Sequence, residues 1–471
     1  MRTGKPFFAR VFENLSYQKV WIALFSFPVL ISFLIVFAAL NALHIPSTRA
    51  LALTLAPASR VRRERLEPGA IVARFAQSWL RIGTFDILRA RGDRTLIRTL
   101  ATYVAEHVYE GWSSLPAVLD QSRPLNITAL KPSRSVSESM IQGASGAEEN
   151  RFTRLYREIA RRNALTVAAW QAYAFTNGVL NTDNTSLLGL SLDFGPFAFL
   201  DNFDPSYTPN HDDHALRYSY RNQPSIIWWN LIRLGESLGE LIGAGAHVDD
   251  QEFVSKGVTE DFAPELIKRA ETIIHQVGDE YKAVFKAEYT RLMRHRLGLT
   301  SDKESDFGEL FSELLDTMEA LELDFNHFFR RLSSLKISNL ETEAQRKDVA
   351  SVFFHAEGVT GLGNTENNAR ERVATWLEKW KVRAEEDWGH MDEERQREMK
   401  KVNPKFIPRS WILDELIQRV EHGGEREILG RVMHMALNPF EEEWEWDRAE
   451  EERFCGDVPR GSRAMMCSCS S

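Results

Sequence analysis

The chain has 471 residues, 43% of them hydrophobic and 27% charged, a globular balance that excludes disorder throughout and a length that points to two lobes rather than one small core. Its net charge of −9 excludes a general nucleic-acid binder, although a few local arginines suffice to hold a nucleotide. Only three cysteines occur, Cys455, Cys467 and Cys469, which excludes a secreted disulfide scaffold.

From the N-terminus, basic residues Arg2, Lys5, Arg10 and Lys19 precede an uncharged run from Val20 to Leu43. That run exceeds the roughly 20 apolar residues needed to span a bilayer, and Pro28 interrupts it. Three readings stay open: a signal anchor, a targeting peptide, or a segment foreign to the rest of the fold. A helical pattern follows through Leu96, Leu100, Val104 and Val108. Residues 113 to 148 are rich in Ser, Pro and Gly and read as an exposed loop. A helix is expected from near Phe152 to about Phe175, and then a turn-rich block over 177–224. Farther on, Leu310, Leu314, Met318, Leu321, Phe325, Phe328 and Leu332 share the spacing of one buried helix face. The acidic stretch 441–452 reads as a solvated face or tail.

Chemistry concentrates in the turn-rich block. Asp183 and Asn184, with Asp193 in Ser-Leu-Asp-Phe-Gly-Pro, offer the hard oxygen ligands that magnesium prefers. Kinase chemistry uses such a set: one Asp takes the hydroxyl proton, and an Asn and the Asp of Asp-Phe-Gly hold the metal. The tripeptide alone is a weak signal, because Asp306-Phe307-Gly308 repeats it without the preceding Asp-Asn. His211-Asp212-Asp213-His214 invites a metal-hydrolase reading, but a surface turn explains it as well. Arg74 and Arg81 lie in a basic segment that could meet phosphate, with an ordinary surface role as the alternative. The clustered thiols read as a redox or cross-linking device or as residues without consequence.

The run from Asn181 to Asp201 closely resembles the signature of the selenoprotein O family. Asn210-His211, Asp213-His214, Arg217 to Pro224 and the Trp229-Asn-Leu-Ile-Arg-Leu run continue the match. Ile45-Pro-Ser-Thr-Arg, Glu67-Pro-Gly-Ala-Ile-Val-Ala-Arg, Asn403-Pro-Lys-Phe-Ile-Pro-Arg and the closing Cys467-Ser-Cys-Ser-Ser are similar to family segments too, so the resemblance covers roughly residues 39 to 471. It implies an α+β, protein-kinase-like fold with a mostly helical C-terminal lobe and an incomplete N-terminal nucleotide lobe. It also implies a protein adenylyltransferase that moves AMP from ATP to Ser, Thr or Tyr hydroxyls of proteins, with Mg2+, in mitochondria. Carried over by position, Asp183 is the catalytic base, Asn184 and Asp193 hold the metal, and Arg74, Arg81 and Asp193 bind the nucleotide. Cys469 stands where some members carry selenocysteine, which marks a cysteine-containing, fungal-type member. Cys455 resembles a family cysteine able to pair with a tail thiol, so Cys455, Cys467 and Cys469 are the redox candidates.

The chain also departs from that pattern. The family's glycine-rich segment and phosphate-binding Lys are not found, and Ala38 stands where its partner Glu is expected. The expectation is therefore a gene model truncated or wrongly spliced before Ile45, with residues 1–38 packing poorly against the rest. An inactive, membrane-anchored pseudokinase or interaction scaffold is the alternative. The expected organisation is an apolar segment over 1–44, a remnant of the nucleotide lobe over 45–112 and a flexible insertion over 113–150. A catalytic lobe then covers 151–440, and an acidic, cysteine-containing tail 441–471. Protein substrates are the expected partners, nucleic acid is not, and membrane association through residues 20–43 is left open.

Overall fold

The computed structural model describes residues 19–62, 66–115, 149–192, 195–355, 359, 363–458 and 463. Asp193, Cys467 and Cys469 fall outside them, so their expected roles are carried by sequence alone.

The apolar run does not form one helix. Its first part is strand β1 (Lys19–Ser26) and its second is helix α1 (Phe27–Ala42). Pro28 falls in the first turn of α1, where its missing N–H costs nothing because those donors have no partner within the helix. Among the described residues, no helix is long and apolar enough to cross a membrane. Strands β2 (Arg49–Arg62) and β3 (Leu66–Ala76) complete an antiparallel sheet of order β1-β3-β2.

The expectation that residues 1–38 pack poorly fails where it can be checked. Ile31, Phe33, Ile35, Val36 and Phe37 are buried, and α1 packs on β2, β3 and the helix Glu427–Leu437. The Phe33 ring lies 6.3 Å from that of Phe197. Burying each large apolar side chain contributes about 1.5–3 kcal/mol. A helix apolar on every side suits a protein core as well as a lipid bilayer, and the composition of the run cannot separate the two. The backbone of Phe25 pairs with Ala70; its side chain is outside the described set.

Helices α2 (Ile82–Ala90) and α3 (Arg94–Tyr103) follow, the second capped by the Asp93 carboxylate, which accepts from Leu96 N at 3.0 Å. Of the expected face only Leu96 departs, at 48% exposed: Val104 is buried and Leu100 and Val108 pack partly buried against the core, with Ile97 and Ala101 buried beside them. Helix α4 (Arg151–Ala172) begins where Asn150 accepts from Phe152 N and Thr153 N, and it runs through the core with nearly every residue buried. Strands β4 (Phe175–Asn177) and β5 (Phe197–Phe199) pair as a short hairpin flanking the turn-rich block. Helices dominate from there, led by α5 (Gln223–Ser237) and α6 (Ala263–Arg296).

All seven residues of the stripe from Leu310 to Leu332 are buried, but they do not share one helix. The helix Glu313–Ala320 ends, Glu322 takes φ 48°, and Asp324 starts a new helix (Phe325–Ser334) by accepting from His327 N at 3.0 Å. The acidic stretch is likewise only partly solvated. Glu451 is buried and accepts from Trp444 N at 3.2 Å and Trp446 N at 2.9 Å, so the chain remains packed through Val458. Asp306 of the second Asp-Phe-Gly is structural, buried in an ion pair with Arg383 at 2.9 Å.

Candidate active site

Asp183 and Asn184 sit in a single turn, Thr182–Asn184, between β4 and β5. Asn181 forms this turn: its side-chain oxygen accepts from Asn184 N at 3.0 Å, and its carbonyl accepts from Thr185 Oγ1 at 2.9 Å. Asn230 of α5 braces the turn from below, donating Nδ2 to Leu180 O at 3.0 Å and Thr185 Oγ1 at 2.8 Å. Asn184 donates Nδ2 to Val179 O at 3.0 Å, which leaves its Oδ1 as the acceptor suited to a hard cation.

The Asp183 side chain is exposed and lies against the first turn of α2. A Cβ at Gly83 would stand 1.9 Å from Asp183 Oδ1, so the carboxylate occupies the room that only a glycine leaves. The start of a helix carries partial positive charge and favours an anion there. Sequence reasoning missed Gly83; the only signal was a small residue inside Leu80-Arg-Ile-Gly-Thr-Phe, and its partner is remote in sequence.

Arg81 is half-buried at the N-terminus of α2, and its backbone bridges Ser186. Ile82 N donates to Thr185 O at 3.0 Å and Leu187 N to Leu80 O at 3.1 Å, so Arg81 and Asp183 belong to segments fastened to each other. Arg74, on β3, is 2% exposed. Its Nη2 donates to Thr48 Oγ1 at 2.6 Å and to the carbonyl of Leu192, the residue before Asp193. Its guanidinium lies 4.1 Å from the centre of the Phe37 ring and 5.1 Å from that of Trp79. Arg74 thus joins α1, β3 and the residue before β2 to the approach to Asp193, itself fixed by Thr48 N donating to Ser191 O at 3.1 Å and Ser191 N to Pro46 O at 2.9 Å.

The other clusters separate from this centre. Asp213 is buried and spent on Arg217 N at 2.8 Å and Tyr218 N at 2.7 Å, while His211 and Asp212 are exposed. Cys455 is half-buried, and burial pushes its thiol up to about 12, which disfavours the reactive thiolate. It lines a cavity of about 490 Å³ with His327, Arg330 and Lys405 that includes none of Arg74, Arg81, Asp183 and Asn184.

Among the described residues, Asp324, His327 and Asp457 approach closely enough to share a metal ion. Their other partners argue for an ion-pair network instead. Arg409 holds both oxygens of Asp324, at 2.7 and 2.6 Å. Asp457 meets Arg331 at 2.6 Å, His355 at 2.6 Å and His327 at 2.9 Å. Burial opposes charge on His327, but Asp324 and Asp457 outweigh it and hold its pKa above the usual 6.5, as expected of an imidazole held between two carboxylates. Because that pKa is raised in the folded state, the stability it contributes is complete below about pH 6.5 and is lost as pH climbs through the raised value. Unfolding free energy should therefore decline as pH rises through that raised value, and His327→Gln should remove that part of the slope. An unchanged slope in the variant would show that His327 is not the titrating group.

Comparison with known proteins gives the family. The family described as protein adenylyltransferase SelO matches residues 31–437. The chain is 38% identical to the mitochondrial protein adenylyltransferase SelO of Schizosaccharomyces pombe over 439 residues, covering 92% of this chain and 70% of that one. Against the mitochondrial SelO of Saccharomyces cerevisiae it is 32% identical, covering 92% and 73%. It is also 32% identical to the protein nucleotidyltransferase YdiU of Ralstonia nicotianae, covering 92% and 70%. The match begins inside α1, in the run expected to be foreign to the fold, and this chain belongs to the SelO protein adenylyltransferase family.

Proposed function

We propose that this chain transfers AMP from ATP to Ser, Thr or Tyr hydroxyls of other proteins, through a kinase-like arrangement of its small sheet and helical lobe. The observation that carries the reading is the Asp183 carboxylate seated on Gly83 at the start of α2, beside Asn184 with one amide oxygen left for a cation. Asp183 orients the attacking hydroxyl and accepts its proton. The hydroxyl oxygen bonds to the α-phosphorus in line, the bond to the bridging oxygen breaks, and pyrophosphate leaves. Arg81, at the positive end of α2, faces the developing phosphate charge. Arg74 fixes the Leu192 carbonyl and thereby the approach to Asp193. Oxygen donors from Asn184 and Asp193 suit Mg2+, which when bound neutralises charge on the phosphate oxygens. The two yeast relatives are named mitochondrial, and we extend that location to this chain.

Mass spectrometry of a protein substrate incubated with the chain and Mg-ATP tests the reading. AMP on a hydroxyl side chain with stoichiometric pyrophosphate is expected; a bare phosphoryl group with ADP released contradicts it. Gly83→Ala gives a finer check. The new methyl group must push the carboxylate of Asp183 aside, and a displacement on the ångström scale costs about 100-fold in rate. Stability should barely move, because the displaced group is the exposed end of a side chain. Wild-type initial rates in Gly83→Ala would rule out Asp183 as the base in this position.

A further inference from the structure

The segments that carry Asn210 and Asn230 also present an exposed surface that the chemistry above does not use. It carries His211, His214, Leu216, Arg217, Arg221 and Trp229, with Trp229 43% and Leu216 36% exposed. The Arg217 guanidinium stacks 4.8 Å from the centre of the Trp229 ring. Leu216 takes φ 53°, a conformation that costs a β-carbon residue free energy and persists only when its surroundings impose it. Here Asp213 imposes it: its carboxylate accepts from Arg217 N and Tyr218 N, and its carbonyl accepts from Leu216 N at 3.1 Å. Asn222 closes the loop by donating Nδ2 to Leu216 O at 2.9 Å. The turn is built to hold an apolar and a cationic side chain out to solvent.

Two anchors tie this surface to the reacting centre. Asn230, next to Trp229, braces the turn of Asp183, and Asn210, next to His211, donates Nδ2 to Gly178 O at 2.9 Å. The charges sort unevenly. Arg233 is engaged by Asp86 at 3.2 Å and Glu236 at 2.6 Å, Asp212 faces His211 at 3.6 Å, and Asp213 is buried. Arg217 and Arg221 have no ion pair among the described residues, so two guanidinium groups outnumber the one exposed carboxylate of Asp212, and the surface is positive on balance on a chain whose net charge is −9. A stacked Trp–Arg pair is the composition of interface anchors.

We propose that this surface docks the protein substrate, and that the segment it takes is acidic with an apolar side chain beside the hydroxyl that receives AMP. The proposal rests on the adenylyltransferase reading for its purpose, but its binding test does not. The probe is the fluorescein-labelled heptapeptide Glu-Glu-Leu-Ser-Leu-Glu-Glu, titrated with the full chain by anisotropy beside a counterpart with Lys in place of every Glu. The acidic peptide should bind about 10-fold more tightly, and added salt should shrink the difference. Arg217→Glu and Arg221→Glu should each weaken it about 5-fold, and Trp229→Ala about 10-fold, with urea midpoints unchanged because the side chains are exposed. Equal affinity for both peptides, or unaltered affinity in the variants, overturns the docking surface. The same mixtures supplied with α-labelled ATP separate the two claims. Selective binding without label leaves the docking surface standing and sinks the transfer chemistry, whereas label on both peptides with equal affinity does the reverse.

Discussion

Asp183→Ala in the full chain should still bind Mg-ATP while its AMP transfer falls by about 100- to 10,000-fold, the usual cost of removing a general base. Asp193→Ala should instead weaken nucleotide binding and transfer together, because a metal ligand acts whenever Mg-ATP is held and a base acts in the chemical step alone. The contrast is informative because the two positions differ in support. Asp183 is exposed at the start of α2 with Gly83 cut back to receive it, whereas Arg74 reaches Asp193's segment through the carbonyl of Leu192. Arg74→Lys keeps the charge but loses the planar fork that also stacks on Phe37, and it should resemble a mild Asp193 variant. Nucleotide titration and initial rates on the same preparations give both quantities. Equal loss of binding in Asp183→Ala and Asp193→Ala would remove the division of labour.

Arg409→Ala should be the most destabilising single change argued here, at about 3–5 kcal/mol. Arg409 is 1% exposed and binds both oxygens of Asp324, Asp201 Oδ1 at 3.2 Å and Leu200 O at 2.9 Å. Burial works against its charge, yet Asp324 and Asp201 more than offset that and raise its pKa. Removing it takes the arginine from two buried carboxylates and leaves Asp324 to His327 at 3.1 Å, and losing one partner of a buried pair costs far more than the intact pair contributes. Asp201 ends the run that begins with the Thr182–Asn184 turn, so the loss should reach the candidate active site as well as the core. Urea unfolding gives the number. Combining Arg409→Ala with Asp324→Asn should cost less than the sum of the two, because the second change removes a charge that the first left without its arginine. A cost below about 1 kcal/mol, or strict additivity, would show that the network relaxes freely.

The sequence made some of this legible and hid the rest for identifiable reasons. Helix α4 was readable because its apolar period starts at Phe152 directly after the Asn150 cap. Burial of the stripe from Leu310 to Leu332 was readable too, but its break was not, since the spacing continues across Glu322 while the backbone turns there. In α3 the core face takes Ile97 and Ala101 together with Leu100, and only Leu96 turns outward; leucine and alanine differ in bulk, and periodicity weights the bulkier residue. The run Val20–Leu43 misled because hydrophobicity records what water rejects and not what receives it. In the candidate site, Asp183, Asn184, Arg74 and Arg81 could be named as candidates from the sequence, but the contacts with Gly83, Thr48, Leu192 and Asn230 could not. Those contacts link separate segments that chain order does not bring together. The ion pair from Arg409 to Asp201 and Asp324 is of the same kind, joining two segments that the family resemblance had marked without relating them.

The central claim is that AMP, and not the terminal phosphate, moves to protein. Parallel reactions of the full chain with α-labelled and γ-labelled ATP, Mg2+ and a mixed protein substrate measure it directly. The account predicts acid-stable label on protein from the α position, none from the γ position, and loss of the α label in Asp183→Ala. Label arriving from the γ position would make this an ordinary kinase and would contradict the account.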